Sequence, residues 1–306
     1  MSIIGVQTVV TALEPVIRPA IDRAQILKAA ATLGILGAGA ESAPRTLALL
    51  CDPNTDGAAI ASLISRQPAM YARVLRVANS AYYGHPRSIK TMERALMLLG
   101  RDAVRGIAAA TCFDRAMARG MNGTAVDMGA VSRHSLTAAV AAEALAVIAR
   151  PAMAGEAFIA GLLHNLGIAV QLHLDSHGIE AMINANRSGA AYGIRALESN
   201  HAMVGHEECL AVVFAAWEMP DGLVAAAGHH HAPMDAPEPH RDLTALVNLG
   251  ATLGLAVGPS YPLEPAPTAR DPAAMNWLGL TDEHLDAVSA QLPARVVELG
   301  AALFDA

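Results

Sequence analysis

Glu156-Ala157-Phe158-Ile159-Ala160-Gly161-Leu162-Leu163-His164-Asn165-Leu166-Gly167 is an apolar helical run with one polar pair, His164-Asn165, set inside it. Phe158, Leu162 and Leu166 recur at i, i+4 and i+8 and share one helix face. Gly167 can close the turn or admit another backbone. A His-Asn pair in so apolar a setting must find polar partners or cost free energy. The chain holds twelve histidines, many in its second half, and these are the natural partners.

The surrounding composition sets the class. A length of 306 residues allows one large domain or two modest ones. Hydrophobic residues make up 53%, led by alanine, and aromatics only 4%, which favours helices over β-structure. The reading is an all-α protein. Its net charge of −7 and the lack of a long basic run argue against a nucleic-acid surface. A local basic group, Arg66, Arg73, Arg76, Arg87, Lys90, Arg94, Arg101 and Arg105, is read as solvated helix faces, with a binding patch as the alternative. Cys51, Cys112 and Cys209 form no CxxC pair, as expected of reduced thiols in a cytoplasmic protein. No apolar run is read as reaching the roughly 20 residues of a membrane span. Met1 to Ala20 has no basic start and contains Glu14 and Pro15, unlike a signal peptide.

Turn and cap residues divide the chain into four parts: an N-terminal extension 1–24, a helical lobe 25–120, a second helical lobe 121–256, and a Pro-rich crossing with a C-terminal helix, 257–306. Gly34, Gly37 and Gly39 break the first apolar run, without the Lys-Ser/Thr of a phosphate loop. Pro44 and Pro68 suit first turns, and Asp56 and Thr281 suit N-caps. Asn79-Ser80 reads as a helix exit. Val131 to Arg150 is a long helix carrying His134, and Ala196 to Pro220 another, with His201 and His206 near its start. A further helix leads to His229-His230-His231. Pro259 to Pro272 reads as an extended crossing.

Neutral imidazole is the commonest metal ligand, and helices can converge such ligands inside a bundle. His134, His164, His201, His230 and His231 are therefore candidate ligands for a divalent metal, against the alternative of a buried polar network. A hydrolytic two-metal site also wants bridging carboxylate, and the residue beside His164 is the neutral amide Asn165. No other cofactor is indicated.

Four segments in order resemble the HDOD domain family, a relative of the HD hydrolases. They are Val74 to Gly84 with Ile89 to Gly100, Gly161 to Gly167, His201 to Gly205 with Trp217 to Pro220, and His230-His231. The resemblance spans about Leu47 to Leu255 plus a tail helix. It implies an HD-like helical bundle beside an extra N-terminal helical lobe, and a bacterial regulatory role often linked to cyclic-dinucleotide pathways. His134 matches the first HD histidine and His164 the motif histidine, whose aspartate is Asn165 here. His201, His230 and His231 match the additional histidines of the HD-GYP phosphodiesterases. The late aspartate expected near Leu249-Gly250-Ala251 is missing, and so is the glycine-tyrosine-proline loop. The resemblance thus implies a non-catalytic signalling module that works through other signalling proteins, with a nucleotide as a further candidate ligand. The alternative is a metal-dependent phosphohydrolase or phosphodiesterase with an altered site.

Overall fold

The computed structural model describes residues 22–32, 43–84, 89–120, 126–190, 193–258, 261–265 and 268–304. The extension up to residue 21, Gly34, Gly37, Gly39 and Arg87 lie outside them. The α-helices are α1 Arg23–Thr32, α2 Ala43–Cys51, α3 Gly57–Ser65, α4 Pro68–Ala78, α5 Met92–Leu99, α6 Arg101–Gly120, α7 Met128–Ala149 and α8 Ala154–Leu163. They continue with α9 Leu166–Leu174, α10 Ser176–Ala185, α11 Ile194–Asn200, α12 His206–Ala216, α13 Asp221–His229, α14 Arg241–Val257, α15 Pro272–Leu278 and α16 Asp282–Phe304. No strand occurs among the described residues, so the fold is all-α as read; an isolated bridge joins Tyr261 to Glu264.

Helix α7 is the axis, packed by α8, α14 and α16. Its centre is nearly all small and buried: Ala138, Ala139, Ala141 and Ala142. A helix apolar on every side belongs in a core. The neighbours approach its backbone through glycines. A Cβ on Gly161 of α8 would stand 2.9 Å from Ala139 Cα, and one on Gly250 of α14 would stand 2.7 Å from Ala138 O. The abundant alanine therefore serves close helix packing as well as helix propensity.

The same burial revises the membrane reading. Met128–Ala149 and Pro151–Leu174 are long and apolar enough to cross a bilayer, but 67% and 89% of their most apolar windows are buried inside the protein. Their apolar surface is the core of the bundle.

Many local expectations hold. Asp56 caps α3 by accepting from Ala59 N at 2.7 Å, and Pro68 opens α4 with Met70, Val74 and Val77 buried. Asn79 fastens the exit of α4: its Nδ2 donates to Leu75 O and Ile89 O, and its Oδ1 accepts from Ile89 N. Tyr82 OH accepts from Arg295 of α16, which also bonds Glu143 of α7, so this segment ties the first lobe to the bundle. Arg105 is buried and donates to Leu50 O and Cys51 O, satisfying carbonyls at the end of α2. Of the basic group it is thus structural, while Arg73 pairs with Asp114. Helix α1 packs on α9 and α12, so it joins the second lobe rather than the first.

Three expectations need correcting. The run through His164 is two helices, α8 and α9, with His164-Asn165 at the break. The His164 ring bonds the Gly161 carbonyl at 2.6 Å, the acceptor that Asn165 N–H would use in a continuous helix. The run from 196 to 220 also breaks, between Asn200 and His206, with Ala202 at φ 50°. Within the Pro-rich crossing, residues 261–264 turn back on themselves, with Tyr261, Leu263 and Glu264 buried.

The α7–α14 contact yields an expected outcome. Gly250→Ala should destabilise the protein by about 1–3 kcal/mol, because its Cβ meets backbone rather than a mobile side chain. Urea unfolding measures this, and a change within about 0.5 kcal/mol would show that the contact is slack.

Candidate metal centre

Five imidazoles form a chain through the buried centre of the second lobe. His134 from α7 meets His164 at the α8–α9 break, with ring centroids 5.4 Å apart. His164 meets His230 at 5.0 Å, and His230 meets His206 at 5.1 Å and His231 at 4.4 Å. His206 and His231 are 5.1 Å apart. Of the residues expected from the sequence, His134, His164, His230 and His231 are thus brought together. His201 is not: its ring bonds Leu197 O on its own helix, half-buried in the turn before α12. His206, the first residue of α12, takes that place. The sequence holds both histidines near one helix start, and only the break between α11 and α12 decides which one points inward.

The far sides of three rings fix their near sides. A carbonyl only accepts, so His164 Nδ1–H donates to Gly161 O at 2.6 Å and His230 Nδ1–H to Ala227 O at 3.2 Å. His206 Nδ1–H donates to the Glu198 carboxylate at 2.8 Å. Each neutral ring then offers Nε2 as a lone pair. Orienting an imidazole through its second nitrogen is how metal-binding histidines are held.

These lone pairs converge. His206 Nε2 lies 3.1 Å from His230 Nε2 and 3.3 Å from His231 Nε2. The ligand atoms of His206, His230 and His231 all fall within 4.8 Å of one another. Tetrahedral coordination with bonds of about 2.0–2.1 Å separates ligand nitrogens by about 3.3 Å. The donor set therefore fits one transition ion of the kind that imidazole prefers. Two bare lone pairs at such distances repel, so the site needs either an ion or a proton between them.

Electrostatics identify the proton's place when no ion is bound. Burial lowers the His206 pKa, but the Glu198 carboxylate outweighs it and the net shift is upward. Burial likewise pushes Glu198 up, and His206 more than reverses this. The other rings are held neutral: burial lowers His134, His230 and His231 well below the usual range and brings His164 to about 4. Glu198 also accepts from His206 N and from Gln171 Nε2, which makes it the anchor of the cluster. Gly167 lets α9 lie against α12; a Cβ there would reach within 2.0 Å of His206 O.

A cavity of about 210 Å³ opens beside the rings, lined among others by His134, His164, Asn165, His230, Tyr261 and Glu264. Asn165 is buried and donates through Nδ2 to the Tyr261 hydroxyl at 3.2 Å, while the Tyr261 ring lies 5.3 Å from His134. A larger cleft of about 760 Å³ at the junction of the lobes carries Asp52, Glu156, Glu218 and Asp221, a lining that repels phosphate. Sequence reasoning missed His206, Glu198, Tyr261 and Glu264. Only the Glu-x7-His spacing of Glu198 and His206 was visible, and it has no regular helical meaning once the helix breaks between them.

Comparison with known proteins agrees with the all-α fold. The HDOD domain profile matches residues 38–233. A crystal structure of a Geobacter sulfurreducens HDOD domain protein of unknown function covers 92% of this chain and 96% of its own, at 18% identity and a TM-score of 0.68. A Marinobacter aquaeolei VT8 protein named provisionally for signal transduction covers 88% of this chain and 59% of its own, at 24% identity and a TM-score of 0.70. A Shewanella amazonensis SB2B structure, named provisionally as a phosphohydrolase, covers 92% and 98%, at 20% identity and a TM-score of 0.67. A curated relative from Treponema pallidum (strain Nichols), named only as an uncharacterized protein, is 24% identical over 199 residues, 64% of this chain. The matched stretch is 37% of that relative's length. With the profile running through both lobes and across all five imidazoles of the cluster, the chain belongs to the HDOD domain family.

Proposed function

We propose that this chain is a non-catalytic regulatory module that acts through contacts with other signalling proteins and holds one divalent transition-metal ion at His206, His230 and His231. The observation that carries the reading is the state of Asn165. It stands where the resemblance to HD enzymes looks for a bridging acid, and its amide donates to the buried Tyr261 hydroxyl instead. A neutral donor there cannot bridge two cations, which two-metal activation of water requires. The converging imidazoles support a single ion, which would act as a Lewis acid and as a clamp on α12 and α13. Buried thiols at Cys51, Cys112 and Cys209, none disulfide-bonded, suit a reducing, cytoplasmic setting. The acidic lobe junction favours protein partners over a nucleotide there.

A second reading is a metal-dependent phosphohydrolase with an altered site. It is favoured by one observation: Glu264 brings a carboxylate to the same cavity.

Elemental analysis of freshly purified protein should find about one transition-metal ion per chain, lost in His206→Ala. Cyclic dinucleotides and nucleoside phosphates should not turn over with added Mn²⁺ or Fe²⁺. Hydrolysis at enzyme-like rates would overturn the non-catalytic reading, and metal-free protein would overturn the ion. Asn165→Asp restores the acid of the motif. A gain of metal-dependent hydrolysis would mean that the remaining geometry still suits catalysis.

The chelated protein should also respond to pH in a defined direction. His164 is neutral when folded and titrates near 4, against an ordinary value near 6.5. Below about pH 6.5 the unfolded chain therefore takes up the proton first, and stability falls as pH drops from 6.5 toward 4. This group contributes on the order of 3 kcal/mol over that window. His206 acts oppositely: its folded value is raised, so its contribution is full below about 6.5 and is lost as pH rises through the folded value. Urea melts in chelator should show His164→Gln flattening the acid limb selectively. An unchanged limb would mean that His164 is not buried in neutral form.

A further inference from the structure

We propose that Glu264 is the acid of this site, supplying from the turn after α14 the negative charge toward a bound divalent cation that Asn165 withholds. This rests on the reading of the imidazole cluster as a metal site. Glu264 lies beyond the stretch matched by the family profile, on the turn closed by the Tyr261–Glu264 bridge. It is 4% exposed and lines the same cavity as His134, His164, His230 and His231. Its Oε1 accepts from Ile194 N at 3.2 Å, which fixes the carboxylate but uses little of its acceptor capacity.

No Lys or Arg pairs with Glu264 among the described residues. A buried carboxylate without a fixed cation is costly unless it stays protonated or meets a cation on demand. Burial pushes its carboxyl up to about 7.

A second observation is that two residues of the cavity lining carry buried polar atoms without partners. His134 is 2% exposed, lines the cavity, and leaves Nδ1 without a hydrogen-bond partner. Asn248 Oδ1, from the same lining, is also without one. Buried polar atoms are nearly always satisfied, by protein or by ordered water and ions. A volume of about 210 Å³ has room for an ion and a few waters.

The alternative role for Glu264 is to hold the start of α11 through Ile194 N–H. Glu264→Gln separates the two roles, because the amide oxygen still accepts that bond while the charge is gone. Calorimetric titration of the metal-stripped full-length chain with Co²⁺ should show E264Q binding about 10–100-fold more weakly than the unaltered chain. The melting temperature of the metal-free protein should stay unchanged. The double variant N165D/E264Q should regain most of the affinity, since the charge returns from the α8–α9 break. Equal Co²⁺ affinity in E264Q and the unaltered chain would overturn the assignment. Should E264Q melt earlier, the double variant decides: recovered affinity supports the charge role, and no recovery overturns it. A failure of the unaltered chain to take up Co²⁺ would instead remove the metal reading itself, and this assignment with it.

Discussion

Two imidazole nitrogens face one another at 3.1 Å in the buried centre of a helical bundle, close enough to share one proton or one ion. That arrangement is unfavourable alone, and its neighbours exist to hold it. Glu198 anchors His206, and carbonyls at 161 and 227 anchor His164 and His230. In a low-dielectric setting such an unsatisfied polar contact is costly, while a shared proton or ion turns the same geometry to advantage.

The fold makes that convergence possible through small side chains. Alanines on α7 and glycines on α8 and α14 let three helices touch along their backbones, and His134 sits inside that contact. The breaks matter as much as the helices. At His164-Asn165 the imidazole takes the carbonyl that would carry the helix onward, and both side chains reach the centre. Between α11 and α12 the break lets Glu198 and His206 meet side chain to side chain. Site and helix interruptions are thus the same features seen at two levels.

The charge at this site comes from outside the motif position. Asn165 is a donor to Tyr261, so the position beside the motif histidine carries no negative charge. The acids near the cluster come from elsewhere: Glu198 from α11 holds an imidazole, and Glu264 from the crossing lines the cavity. Under the proposed regulatory reading, such a domain would keep a metal-dependent shape without the chemistry of water activation.

The all-α class, the cap at Asp56, the helix start at Pro68 and the helix exit at Asn79 follow from local chemistry, and the sequence alone determined them. So did the candidate status of His134, His164, His230 and His231, because imidazoles in apolar runs must answer to one another. The sequence reading chose His201 over His206, which sits five residues on and carries the same side chain, and the structure reverses that choice. It could not show that a Pro-rich crossing turns back to bury Tyr261 and Glu264. Those outcomes depend on where helices stop and which surfaces then meet. Such contacts join residues far apart in the chain, as Asn165 and Tyr261 are, and no local pattern encodes them.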